Sequence, residues 1–277
     1  MMFTTLIESD QLAAQLNNPN WVIVDCRFDL ADVTKGHQAY LKAHIPGAVY
    51  ADLDHDMSGP PVTDAGRHPL PTPAAMTAVF ERLGISTEKQ VVIYDDRNGV
   101  YASRLWWMLR YMGHDGVAVL AGGWPAWQAA GLPEKSGEEV NETAVFIGSR
   151  RAEWLVQKAE VLDVPLLIDS RAPARYLGEM EPLDPIAGHI PGAANFFFQQ
   201  NWDENGRYRT PENLKEQFET LLDNTNADDA VFYCGSGVSA CVNLLALAHS
   251  GVGNGRLYVG SWSEWSNDPD TPKATGK

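Results

Sequence analysis

Cys234 is the residue of this chain best placed for covalent chemistry. It follows the apolar run Ala-Val-Phe-Tyr at 230–233 and precedes a short loop of glycine and serine, after which residues 241–248 have the composition of a helix. Backbone N–H groups converge where a strand turns into a helix, and the helix dipole favours an anion there. Such a setting stabilises the thiolate, the nucleophilic form of cysteine. We therefore expect Cys234 to be a catalytic nucleophile.

The loop after Cys234 has the composition of an anion-binding turn. Glycine at two positions allows the chain to curl until successive amides point at one anion. The loop residues that we expect to bind substrate are Gly235, Gly237, Val238 and Ser239. A buried structural cysteine is the alternative interpretation of Cys234, and it is the interpretation that we favour for Cys26 and Cys241.

The elements that hold this loop occur twice along the chain. Four blocks recur in the same order, each at an offset of about 138 to 145 residues. They pair residues 22–27 with 166–171, 44–48 with 189–193, 91–95 with 230–234, and 122–127 with 260–265. Four matches in register predict a tandem duplication.

Short apolar runs alternate with helix-like segments in both halves. Helical periodicity covers residues 74–83, 103–112, 213–222 and 241–250. This alternation predicts an α/β fold in which each half is a mostly parallel sheet with helices on both faces. Ligands of such sheets bind beyond the carboxyl ends of the strands, where Cys234 falls. We expect Trp106 and Trp107 to lie in the core.

The duplication also predicts the domain organisation. A polar stretch at 132–139 is typical of a linker, so we expect domains at 1–133 and 145–277 joined by residues 134–144. At the position of Cys234 the first half has Asp95, followed by a loop one residue longer. A carboxylate repels an anionic ligand, so we expect the first domain to be catalytically inactive.

Composition limits the partners and the compartment. The chain has 277 residues, a formal net charge of -15 and a pI near 4.8, which argues against nucleic-acid and acidic-membrane partners. We expect neither a signal peptide nor a membrane-spanning helix, because the first residues lack a basic segment followed by a long apolar run and no run of about eighteen apolar residues occurs. Three cysteines are too few for a disulfide framework, and no phosphate-binding motif occurs. We expect a cytoplasmic protein without a metal or cofactor.

The duplicated Asp-x-Arg and His-Ile-Pro-Gly-Ala blocks, together with the loop Cys-Gly-Ser-Gly-Val-Ser-Ala at 234–240, resemble the two-domain rhodanese-like sulfurtransferases over nearly the whole chain. This resemblance implies two tandem rhodanese-like domains and a persulfide formed on Cys234. The loop is similar to that of the 3-mercaptopyruvate sulfurtransferases, with Ser239 in place of a threonine. The implied acceptor is cyanide or a thiol, including a thioredoxin-like protein.

Two other functions remain alternatives within this resemblance. Thiosulfate-type loops usually carry basic residues just after the cysteine, and Gly235 and Ser236 are neutral, so a dianionic donor should be held less well. Thiosulfate nevertheless remains the alternative donor. The second alternative is that the protein carries a persulfide for a partner without turnover. Phosphatases of this fold need Cys-x5-Arg, whereas Ala240 stands at that place.

The resemblance also assigns roles to residues outside the loop. Arg175 matches the arginine that grips the donor carboxylate. The family often has a second arginine nine residues later, where this chain has Asp184. The arginines that we considered as its replacement are Arg104, Arg207 and Arg209.

A proton relay is the last element implied by the resemblance. Asp54 and His68 match a segment of the first half that reaches the active site, and with Ser236 they would form a catalytic carboxylate–histidine–hydroxyl set. By contrast, His44 and His189 occupy matching places in both halves, which favours a structural role for each.

Overall fold

The computed structural model describes residues 2–62 and 65–277, and these fall into two compact units. The first unit joins the residues up to Gly59 to Pro71–Arg151. The second unit joins the described part of Pro60–Leu70 to Ala152–Lys277.

The first unit is built on a five-stranded sheet in which all neighbouring strands are parallel. Its strands are β1 (Leu6–Ile7), β2 (Trp21–Asp25), β3 (Ala48–Tyr50), β4 (Gln90–Tyr94) and β5 (Val117–Leu120), in the order β1-β5-β4-β2-β3. Its helices are α1 (Ser9–Ala13), α2 (Lys35–Lys42), α3 (Pro73–Arg82), α4 (Ala102–Tyr111) and α5 (Gly123–Ala129).

The second unit is built on a parallel sheet of four strands. Its strands are β6 (Leu166–Asp169), β7 (Ala194–Asn195), β8 (Ala230–Tyr233) and β9 (Arg256–Leu257), in the order β7-β6-β8-β9. Its helices are α6 (Pro173–Tyr176), α7 (Pro211–Leu222), α8 (Ala240–His249) and α9 (Ser261–Asn267). Short 3-10 turns lie at Ala152–Trp154, Lys158–Asp163, Phe198–Asn201 and Ala227–Asp229. The predicted α/β fold with two parallel sheets is confirmed.

The four helices expected from periodicity are present, and each begins one or two residues earlier than predicted. The early starts of α3 and α7 have a local cause. Thr72 and Thr210 accept hydrogen bonds from the backbone N–H three residues later, and a proline follows each of them. A capping threonine with proline at the first helical position satisfies the free N–H groups of a helix start.

The Asp-x-Arg blocks make the same contacts in both units. Arg27 pairs with Asp25 and Arg171 with Asp169, each at 2.6 Å between nitrogen and oxygen. Each guanidinium also lies 4.8 Å from the ring centroid of a tryptophan at the start of the last helix of its unit. These arginines are almost fully buried, so the pairs belong to the folds themselves.

The two matching histidines are equally structural. His44 Nδ1 lies 2.8 Å from the carbonyl oxygen of Tyr40, and His189 Nδ1 lies 2.7 Å from that of Tyr176. Each imidazole also stacks on the ring of the same tyrosine. The repeated geometry is what a duplicated scaffold requires.

The compact units divide the chain differently from the predicted domain boundaries. Residues 145–151 were assigned to the second domain, but in the structure they pack on the first unit. Phe146 contacts Phe80 with ring centroids 5.0 Å apart, and Arg151 pairs with Asp115 at 2.7 Å. The ring of Phe146 and the guanidinium of Arg151 hold this segment on the first unit. The polarity of the preceding stretch gives no indication of these contacts.

The core is apolar and rich in aromatic side chains. Trp106 and Trp107 on α4 are each about 1% exposed, as predicted. Across residues 2–62 and 65–277, no helix is long and apolar enough to cross a membrane.

Candidate active site

Cys234 lies directly after β8, at the carboxyl end of a central strand, and is 1% exposed. Its backbone N–H donates to Ser261 Oγ at 3.1 Å, and its carbonyl oxygen accepts from the N–H of Trp262 at 3.0 Å. The next carbonyl, of Gly235, accepts from the N–H of Ser263 at 2.8 Å. The start of α9 therefore fastens the chain on both sides of the thiol.

The curl of the loop depends on Gly237. Its φ is +73°, and a Cβ at this position would lie 2.4 Å from the carbonyl oxygen of Val259. Both the backbone conformation and the close approach therefore require glycine. Val238 is buried and Ser239 half-buried, and their carbonyl oxygens accept the first hydrogen bonds of α8.

The first unit contains an equivalent loop, in which the backbone amides bind the carboxylate of Asp95. Asp95 Oδ1 accepts hydrogen bonds from the N–H groups of Arg97 and Gly99, both at 2.8 Å. Its Oδ2 accepts from those of Tyr101 at 2.7 Å and Ala102 at 2.9 Å. Four backbone amides thus converge on one carboxylate, which is an anion-binding nest.

Asp95 and Cys234 are equivalent in the two folds. Each follows a central strand, and each carbonyl oxygen accepts the N–H of a tryptophan, Trp124 at 2.8 Å in the first unit and Trp262 in the second. The first unit therefore holds a carboxylate where the second holds a thiol.

His68 lies beside the loop of the second unit. Its Nδ1 is 2.7 Å from Ser236 Oγ, and both side chains are more than nine-tenths buried. Two contacts hold this segment: the N–H of Arg67 donates to Ser263 Oγ at 3.1 Å, and Gly66, with φ +77°, packs closely on Gly260. The pair has the geometry for moving a proton between an imidazole and a hydroxyl.

Asp54, the third residue of the expected relay, belongs to the first unit. Its backbone N–H donates to Asp52 Oδ1 at 2.8 Å. Burial and the charge of Asp52 raise the pKa of Asp54 above its usual range. Its link to His68 stays a prediction.

Arg175, on α6, lies against the loop. Its Nη1 and Nη2 are both 3.4 Å from the point where a Cβ on Gly235 would stand. Nε and Nη2 donate to Glu181 at 3.1 and 2.6 Å, and Nη2 also pairs with Asp184 at 3.2 Å. The guanidinium is thus held by two carboxylates beside the residue that follows the nucleophile.

Arg67 is the residue that the sequence analysis missed. Its Nη2 lies 3.0 Å from the same point at Gly235, and its Nη1 pairs with Asp184. The structure thus places a second arginine at the loop, from the segment in which the sequence indicates only the histidine. Arg67 immediately precedes His68, a predicted site residue, and this position is the sequence signal that indicates a place near the site.

None of the three arginines considered from sequence supplies one of the three atoms nearest to a Cβ on Gly235. Arg104 is fully buried in the first unit, where it donates to the carbonyl oxygen of Met57 at 3.3 Å. Arg209 donates to the carbonyl oxygen of Gln200 at 3.0 Å, and Arg207 is exposed. The nearest side-chain atoms to Gly235 come instead from the two arginines described above.

The other cysteines have structural surroundings. Cys241 is fully buried on α8 and its Sγ donates to the carbonyl oxygen of Gly237 at 3.5 Å. Burial, reinforced by Asp25 and other nearby carboxylates, raises the pKa of Cys26 well above its usual range, so this thiol stays protonated. In the part of the chain that the structure describes, no group of three or more histidine, cysteine or acidic side chains could hold a metal ion.

Comparison with known proteins agrees with this arrangement. The model of the rhodanese-like domain matches the chain twice, at residues 8–130 and 151–268. A protein of Pseudomonas aeruginosa named "Probable 3-mercaptopyruvate sulfurtransferase" is 45% identical over 283 residues, which cover 100% of both chains. The thiosulfate sulfurtransferase of Bos taurus is 31% identical over 100% of this chain and 97% of its own. The solved structure of 3-mercaptopyruvate sulfurtransferase from Leishmania major has a TM-score of 0.84 at 31% identity, over 95% of this chain and 74% of that one. The chain therefore belongs to the rhodanese-like family of sulfurtransferases.

Proposed function

We propose that this protein transfers sulfane sulfur from 3-mercaptopyruvate to a thiol or cyanide acceptor through a persulfide on Cys234. The arrangement that supports this donor is a buried thiol at the head of an amide-rich loop, with Arg67 and Arg175 against Gly235. A guanidinium binds a carboxylate through two parallel hydrogen bonds. A donor with a carboxylate at one end and a transferable sulfur at the other fits this arrangement.

In the first step the Cys234 thiolate attacks the donor sulfur. A new S–S bond forms and the C–S bond breaks, with its electron pair leaving on carbon as the enolate of pyruvate. The donor sulfur keeps its proton or loses it to solvent, and the enolate takes a proton at carbon to give pyruvate. The loop amides at Gly235, Gly237, Val238 and Ser239 stabilise the persulfide anion.

The proton for this step comes through Ser236. His68 Nδ1 lies at hydrogen-bond distance from Ser236 Oγ, so the hydroxyl can pass a proton towards the substrate while the imidazole replaces it. Asp54 completes the relay in this proposal by favouring the charged imidazole.

The second step returns the enzyme to its starting state. The acceptor attacks the outer sulfur of the persulfide, and the Cys234 thiolate leaves. We propose a small thiol or a thioredoxin-like protein as the acceptor in the cell. The three cysteines are all free, which supports a reducing compartment such as the cytoplasm. Because Asp95 stands where the nucleophile would be, we propose that the first unit carries no sulfur.

Thiosulfate is the alternative donor, and the observation that favours it is the presence of two guanidiniums beside Gly235. A dianion is attracted by two cations more strongly than a monoanion. Attack on thiosulfate would follow the same course, with sulfite as the leaving group.

Turnover of both donors tests the proposal. With mercaptopyruvate and cyanide we expect repeated formation of pyruvate and thiocyanate, and we expect the Cys234→Ser variant to form neither. Cys241→Ser is the matched control, because it alters a second thiol of the same unit and retains a hydrogen-bond donor. A single stoichiometric release of thiocyanate identifies a carrier instead of an enzyme, and turnover by Cys234→Ser contradicts the assigned nucleophile.

A further inference from the structure

A buried carboxylate lies between the two arginines of the site. The side chain of Asp184 is 2% exposed, in the segment that joins α6 to β7. One oxygen pairs with Arg67, and the other lies 3.2 Å from Nη2 of Arg175. A single carboxylate therefore bridges the two guanidiniums that stand closest to Gly235.

A second carboxylate completes the cluster. Glu181 accepts two hydrogen bonds from Arg175 and pairs at 3.1 Å with Arg171. Although burial opposes it, the hydrogen bond and charge of Arg175 hold the pKa of Glu181 below its usual range. Arg67 and Arg175 are thus matched by Glu181 and Asp184, so that the formal charges of these four side chains cancel when both acids are ionised.

Asp184 is the less stabilised of the two acids. Burial raises its pKa, Arg67 and Arg175 lower it, and the charge of Glu181 raises it again, with a net rise. The carboxylate of Asp184 does not improve the binding of an anion, because it competes with that anion for the same two guanidiniums. Its effect on the site is to reduce the positive charge.

We propose that Asp184 determines donor specificity by cancelling positive charge beside Gly235, so that the site accepts a monoanionic keto-acid thiol better than the thiosulfate dianion. This inference rests on the proposed function and names the residue that chooses between its two donors. Asp184 acts through Arg67 and Arg175 and is a positioning residue.

The size of the effect follows from Coulomb's law. Removing one negative charge from the cluster favours every anion bound beside it, and the gain for a dianion is twice the gain for a monoanion. The ratio of kcat/KM for thiosulfate to kcat/KM for mercaptopyruvate therefore changes by the factor that corresponds to the interaction energy of one pair of unit charges. For a partly exposed site this corresponds to about tenfold in the ratio.

Both arginines keep other contacts when Asp184 is neutralised. The backbone N–H of Arg67 is held by Ser263, and Arg175 keeps both hydrogen bonds to Glu181. Asp184→Asn retains the shape of the side chain and removes its charge, and it also replaces one of the two acceptor oxygens with an NH₂ group.

The first test compares kcat/KM for thiosulfate and for mercaptopyruvate. In Asp184→Asn we expect the thiosulfate-to-mercaptopyruvate ratio to rise about tenfold. Arg67→Gln should lower the ratio, and the double variant should return it close to that of the unmodified protein, which a purely structural defect would not do. The charge-matched control is Asp163→Asn, an exposed aspartate at the amino end of β6 and so at the opposite edge of the sheet; it should leave the ratio unchanged.

The second test needs no turnover. Iodoacetamide is uncharged, so its rate of reaction with Cys234 reports occupancy of the site when sulfate or pyruvate is added. In Asp184→Asn the inhibition constant of sulfate should fall several-fold more than that of pyruvate. If the unmodified protein turns over neither donor, the proposed function is wrong, while this competition still decides the role of Asp184.

An unchanged ratio in both assays, in an Asp184→Asn protein that melts near the temperature of the unmodified one, overturns the inference. Should Asp184→Asn fail to fold, the comparison of Arg67→Gln with the double variant decides, since both lack the charge of Arg67 and they differ only at Asp184. If the two variants have the same ratio, the inference is overturned, and a higher thiosulfate-to-mercaptopyruvate ratio in the double variant supports it.

Discussion

Replacing Asp95 by asparagine tests whether the first unit depends on a carboxylate as the permanent occupant of its nest. Asp95 is fully buried, and its two oxygens accept four backbone N–H groups at 2.7–2.9 Å. Asparagine has the same shape, but it offers a single acceptor oxygen and an NH₂ group. Two of the four backbone N–H groups must then face another donor.

The magnitude follows from those two groups. A buried N–H left without an acceptor costs about 1–3 kcal/mol, and a hydrogen bond to a charged partner is worth about 1.5–3 kcal/mol. Two lost bonds therefore predict about 3 kcal/mol of destabilisation after partial relaxation. This is a large share of the free energy of unfolding of an ordinary domain, which is about 5–15 kcal/mol.

Urea unfolding at neutral pH, followed by far-ultraviolet circular dichroism, measures this difference. The matched control is Asp96→Asn, which makes the same change at the next residue of the loop, where the side chain is exposed. We expect the control to stay within about 0.5 kcal/mol of the unmodified protein. If Asp95→Asn does the same, the convergence of four amides on the carboxylate does not stabilise this loop, and the comparison with the loop of Cys234 loses its basis.

Two further predictions concern the catalytic loop. Gly237→Ala should cost about 2–4 kcal/mol and most of the activity, because it combines a positive φ with a contact to the Val259 carbonyl; Gly251→Ala, with a similar φ and open space, should cost only about 1 kcal/mol, and equal losses by thermal melting would refute the steric part. His68→Asn should lower kcat about 10²-fold and remove from the pH–rate profile the ionisation that belongs to this imidazole. A profile that keeps this ionisation would show that the pair with Ser236 moves no proton.

Much of the fold could be predicted because it depends on short stretches of chain. A run of apolar residues followed by glycine and a helical pattern is typical of a strand, a turn and a helix. The nucleophile is placed by that local succession, as Cys234 between β8 and α8 illustrates. The duplicated Asp-x-Arg block also indicates an ion pair, because Asp169 and Arg171 are only two residues apart and their side chains can meet.

The domain boundaries were harder, because they depend on which surface a segment packs against. Residues 145–151 follow a polar stretch and were assigned to the second half, yet Phe146 buries its ring on the first unit. The segment 65–70 is early in the chain but belongs to the second unit. Polarity along the chain does not contain this information, because the deciding contacts join residues far apart in sequence.

The sequence by itself determined the duplication, the two parallel sheets and the cysteine at a helix start, because each follows from patterns within a few residues. Only the tertiary structure decided what surrounds that cysteine. Arg67 stands at Gly235, and His68 meets Ser236 across 168 positions of sequence. Asp184 stands where the family often has a second arginine, and in the structure it pairs with both Arg67 and Arg175. Such contacts arise when the whole unit packs, since only then do segments distant in the chain become neighbours.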